Sequence, residues 1–94
     1  MTTTKTITRL QQMPYSQAHI RNYPNGDRSL ISYVTEVATI KDNWLKINGL
    51  YSATTRRHIS AFMKELGYSY AVAKSIYLLN AKFNLITGEI VMGN

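Results

Sequence analysis

Ser52, Thr54 and Thr55 place three hydroxyls beside Arg56, Arg57 and His58, and Tyr51 opens the group. Guanidiniums grip phosphate or carboxylate with two parallel hydrogen bonds, hydroxyls donate to the same oxygens, and an imidazole adds a donor once protonated. Here the pattern of a strand gives way to that of a helix, with Gly49 at the bend. A helix start offers free backbone N–H groups and a partial positive charge. Tyr51, Ser52, Thr54, Thr55, Arg56, Arg57 and His58 therefore read as an anion-binding corner. The competing explanation is capping alone: Ser52 or Thr54 closes the helix, Thr55 fills a core corner and the arginines are solvated. Two arginines in a first turn oppose the helix dipole, and that mild local conflict favours a binding role.

A second group is Lys41, Trp44 and Lys46, on and beside a hairpin. Trp44 and Lys46 share a strand face, and basic and aromatic groups together can follow a nucleic-acid backbone and stack on bases. The only tryptophan of a small domain more usually packs into the core, which is the expectation for Trp44. No catalytic constellation accompanies either group. His19 and His58 are far apart, and Asp27, Glu36, Asp42, Glu65 and Glu89 are scattered singly, so neither metal spacing nor a carboxylate pair arises. A glycine-rich phosphate loop is absent too. The expectation is a non-catalytic protein without metal or cofactor.

Eleven Lys and Arg against five Asp and Glu give a net charge of +6. That balance favours polyanionic partners, either nucleic acid or an acidic protein surface, with a small nucleotide as a further ligand for the 51–58 corner. A homodimer is compatible with the sequence. The chain has no cysteine, which removes disulfides and thiolate chemistry. No run reaches the ~18 apolar residues of a membrane span. The polar start Met1-Thr2-Thr3-Thr4-Lys5 lacks the apolar region of a secretory signal. The protein is therefore expected in the cytoplasm, away from membranes. A 45% hydrophobic composition and 94 residues predict one globular domain over 1–94 with a modest core.

Residues 1–12, with Thr4, Thr6 and Thr8 alternating, predict a short edge strand or flexible arm. Residues 13–22 read as a short helix with Pro14 in its first turn. Tyr23-Pro24-Asn25-Gly26-Asp27 is a turn. Residues 29–40 read as one long strand, with Ile31, Tyr33 and Val37 on one face and Leu30, Val34, Ala38 and Ile40 on the other. Lys41-Asp42-Asn43 turns into a return strand, 44–48, which sets Leu45 and Ile47 opposite Trp44, Lys46 and Asn48. A helix over 53–66 buries Ile59, Phe62, Met63 and Leu66, turns Thr55 inward and Arg57 to solvent, and sets Arg56 and His58 on opposite sides of the stripe. Gly67 ends it. A second helix over 70–82, capped by Ser69, buries Val72, Ile76, Leu79 and Phe83, and a short terminal strand closes the chain. The fold class is α+β: a small antiparallel sheet centred on a hairpin, with two packed helices in ββαα order.

The run Tyr33-Val34-Thr35-Glu36-Val37-Ala38, the hairpin, and then Tyr51-Ser52-Ala53-Thr54-Thr55-Arg56-Arg57-His58 resemble a family of small uncharacterised proteins of bacteriophages, plasmids and their hosts. That family carries a Y-S-x-T-T-x-x-H pattern after a β-hairpin, and the likeness covers about residues 30–66. It implies a phage or mobile-element setting and a shared use for Tyr51, Ser52, Thr54, Thr55 and His58. At fold level alone, the strand–strand–helix order is also similar to small sheet-plus-helix DNA readers. The leading expectation is binding of a phosphate-bearing ligand, foremost nucleic acid. The alternative is a phage-encoded inhibitor of a host or defence protein, or capture of a small nucleotide signal.

Overall fold

Seven strands and two helices make up the computed structural model, which describes residues 6–49 and 51–92. Residues 1–5 of the predicted arm, with Thr4, lie outside the described residues. The strands are β1 (Thr6–Arg9), β2 (Ala18–Asn22), β3 (Arg28–Ser32), β4 (Thr35–Lys41), β5 (Trp44–Ile47), β6 (Ala81–Asn84) and β7 (Ile90–Met92). They form one antiparallel sheet in which each strand lies beside its neighbours in sequence. Helices α1 (Ala53–Glu65) and α2 (Tyr70–Leu78) are inserted between β5 and β6. α1 packs on β3 and α2, and α2 packs on β5 and β6. The class is α+β.

Local chemistry explains each turn. Asp42 and Asn43 both take positive φ, +52° and +69°, in a two-residue hairpin loop of the kind these side chains tolerate. Gly26, at φ +96°, closes the β2–β3 turn, where its N–H donates to the Tyr23 carbonyl at 3.0 Å. The core gathers Leu30, Ile40, Leu45, Ile47, Ile59, Phe62, Met63 and Ile76 between the sheet and the helices.

Four sequence expectations are corrected. The predicted long strand 29–40 is two strands, broken at Tyr33-Val34, where Ser32 pairs with Thr35. Tyr33 adopts φ +58°, a conformation its ring does not advertise, held by its N–H on the Gln17 carbonyl at 2.8 Å. A bulge then shifts the register so that Leu30 faces Ala38 but Ile31 faces Glu36. This sends Val37 into the core beside Ala38, instead of to the opposite face. Second, the predicted helix over 13–22 is a turn followed by β2, since pairing with β1 and β3 outweighs local preference. Third, α2 stops at Leu78, four residues early. Asn80 turns the chain at φ +52°, and Lys82 and Phe83 become part of β6. Leu79, predicted buried, is 44% exposed, and Leu66 is only half-buried. Fourth, Trp44 is not under a helix. It lies on the face of the sheet that the helices leave open.

That open face follows from strand alternation. Leu30, Ala38, Ile40, Leu45, Ile47 and Phe83 point to the helices. Their neighbours point the other way: Ile7 and Arg9, His19 and Arg21, Ser29 and Ile31, Glu36, Thr39 and Lys41, Trp44 and Lys46, Lys82, and Val91.

Candidate functional site

The corner at 51–58 is divided by its own helix. Ser52 is the N-cap: it is extended, and its Oγ accepts from the Thr55 N–H at 3.3 Å. Thr55 and His58, three residues apart, turn inward over β3. The Ser32 hydroxyl lies 2.9 Å from Thr55 Oγ1 and 2.8 Å from His58 Nδ1, and Ser52 Oγ lies 3.4 Å from Thr55 Oγ1. With Nδ1 as acceptor, the hydroxyls donate in one direction, Ser52 to Thr55 to Ser32 to His58, which assigns the neutral Nε2–H tautomer. Burial holds the His58 pKa below the 6.5 of a free imidazole, consistent with that neutral form. Tyr33 leans on the imidazole, its ring centroid 5.8 Å away. His58 is therefore in the stripe rather than beside it.

Ser32 and His58 have the contact of a nucleophile and its base, but both are at most 2% exposed. The network satisfies buried polar groups and fixes α1 against β3. Sequence reasoning missed Ser32 because its partners are more than twenty residues away; its only signal was a serine ending an apolar strand.

Thr54, Arg56 and Arg57 face solvent. Arg57 borders a shallow cleft with Gln12, Met13, Ser60, Ala61 and Lys64, on the helix side of the molecule. Tyr51, at φ +51°, is half-exposed, and its ring lies where a Cβ on Gly49 would come within 2.7 Å. Gly49 therefore seats the ring. The seven predicted residues thus form no single pocket.

Lys41, Trp44 and Lys46 do come together. With Thr39, Asp42 and Lys82 they line a cleft of about 290 Å³ on the open sheet face. Lys82 Nζ stands 5.6 Å from the centroid of the Trp44 ring, a cation–π contact. Lys82 was hidden in a segment read as helix. Further along the same face, Ser29 donates to Glu36 Oε2 at 2.7 Å. The neighbouring Arg21 side chain, ahead of Ser29, holds the Tyr23 pKa below its ordinary 10.0. The helix layer separates this face from Arg56 and Arg57 in a molecule about 21 Å thick, so the two predicted groups do not share one surface.

Among the described residues, no cluster of His, Cys, Asp and Glu is arranged to hold a metal ion, and no helix is long and apolar enough to cross a membrane. A family of unknown function, DUF8033, matches residues 1–82. The chain belongs to that family. No curated protein and no solved structure matches. The DUF8033 match takes in both groups of residues, and the family is, as expected, one without an assigned function.

Proposed function

We propose that this DUF8033 protein binds nucleic acid, without catalysis, on the open face of its sheet. The observation that carries the reading is the charge of that face. Arg9, Lys41, Lys46 and Lys82 project from it, with the half-buried Arg21 beside Tyr23, against Glu36 and the turn residues Asp27 and Asp42. No helix covers these cations, and none is within ion-pair distance of an acid among the described residues. Cations left unpaired on one broad face suit a chain of phosphates. Arg56 and Arg57 supply a second, separate basic area on the helix layer. A phage or mobile-element setting, implied by the resemblance at 51–58, belongs to the same reading.

A salt-titrated binding assay tests it. Labelled oligonucleotides should bind at about 50 mM salt and weaken by orders of magnitude toward about 200 mM, because phosphate contacts release counterions. Absence of binding at the lower salt ends the proposal.

An inhibitor that docks on a protein is the second reading, and one observation favours it. Leu78, Ile86, Ile90 and Met92 are exposed around the β7 edge, an apolar margin for which a polyanion has no use.

A further inference from the structure

Trp44 is the chain's only tryptophan. It is only half-buried, on the face that no helix covers. Phosphate binding does not require a ring there; lysines suffice. The cleft nevertheless brings together Trp44 from β5, Lys41 from β4, Lys46 from β5 and Lys82 from β6. Lys82 Nζ stands over the ring, so the flat π-face is directed into the cleft.

We infer that this cleft takes one unpaired base of a single-stranded nucleic acid, stacked on Trp44, with the flanking phosphates on Lys41, Lys46 and Lys82. The inference rests on the nucleic-acid reading and adds a preference for single strands over duplex. A base inside a duplex has both faces covered by its neighbours, so it cannot stack on a protein ring, whereas an unpaired base can. The cleft, about 290 Å³, falls just below the ~300–1,000 Å³ of small-molecule sites, so it suits a single base rather than a larger ligand. An entering base displaces the Lys82 ammonium from the ring, and a phosphate beside the base receives it. Asp42 on the rim disfavours phosphate at that point and can accept from an N–H on the edge of the base, the N3–H in thymine or uracil. DNA and RNA share this chemistry.

The unique tryptophan makes the test direct. The full-length protein is titrated with an oligothymidylate, an oligouridylate and a DNA duplex of about 12 nucleotides per strand, within the range of single-strand site sizes. Binding is followed by anisotropy of a labelled strand, and stacking by Trp44 fluorescence. Both single strands should quench Trp44, the tighter one showing which sugar is preferred, while bound duplex leaves the emission unchanged. Trp44→Ala should weaken single-strand binding about tenfold, within the ~5- to 150-fold expected for loss of one stacked base, and change duplex binding less than twofold. Trp44→Phe keeps a ring and should recover most of the loss, so it separates stacking from a folding defect. Single strands that bind without quenching, with affinity unchanged by Trp44→Ala, overturn the inference and leave the nucleic-acid reading standing. Equal quenching by duplex overturns it as well. Failure of every strand to bind removes both.

Discussion

At the scale of single residues, His58 carries the clearest consequence. Its imidazole shares a hydrogen bond with Ser32 inside the protein, and burial lowers its pKa below 6.5. The unfolded chain therefore binds a proton more readily than the folded one. Stability should be full above about pH 6.5 and should fall as the pH drops through that value toward the lower folded pKa. Urea unfolding at about pH 7.5 and about pH 5.5 measures the loss, and His58→Asn should flatten it. An equal pH slope in both proteins would place the effect outside His58. Arg57 provides the contrast. Its side chain is exposed, so Arg57→Ala should leave stability within about ±0.5 kcal/mol by thermal melting. If the helix-layer arginines also hold a phosphate, that change should still cost about 1.5–3 kcal/mol of affinity.

At the scale of elements, α1 fastens the helix layer to the sheet. Phe62 is fully buried at its centre, and Phe62→Ala should cost about 3–5 kcal/mol, a large part of a small domain's stability. A variant that melts with the parent would mean α1 is packed in another register. The β4–β5 hairpin depends on Asn43 at φ +69°. Asn43→Ala should cost about 1 kcal/mol by denaturant titration, because alanine lacks the short polar side chain whose local hydrogen bonding lets asparagine occupy the left-handed region. These elements were legible in the sequence to unequal degrees. Asp42-Asn43 and the Ile59, Phe62, Met63 stripe state their conformations in residue type and spacing, and the structure agrees. Tyr33-Val34 states the opposite of what it does. An aromatic and a β-branched residue read as strand, whereas pairing of Ser32 with Thr35 and a backbone bond from Tyr33 to Gln17 hold them in a turn. Lys82 and Phe83 continue the helical period of α2, so nothing local marks their transfer to β6. Pairing with β5 decides it, through Leu45 against Phe83. The inward half of the 51–58 corner was legible at Thr55 from helical spacing alone. Its partner Ser32 was not, because long-range contacts leave no periodic trace.

At the scale of the whole molecule, the layered fold sorts the charge. One face of the sheet packs under α1 and α2, and the other carries Arg9, Lys41 and Lys46 in solvent, with Arg21 and Lys82 half-buried among them. Replacing Lys41, Lys46 and Lys82 together by alanine should lower the salt slope of single-strand binding by about 2, at ~0.7 per lost contact, with the melting temperature little changed. Replacing Arg56 and Arg57 should alter that slope far less. Amide chemical-shift mapping of the full chain with an added oligonucleotide locates the ligand. Binding on the open face should shift amides along β2, β4, β5 and β6, greatest near Trp44, with α1 quiet. Shifts confined to the first turn of α1, around Ser52 to Arg57, would contradict it and return the site to the helix start.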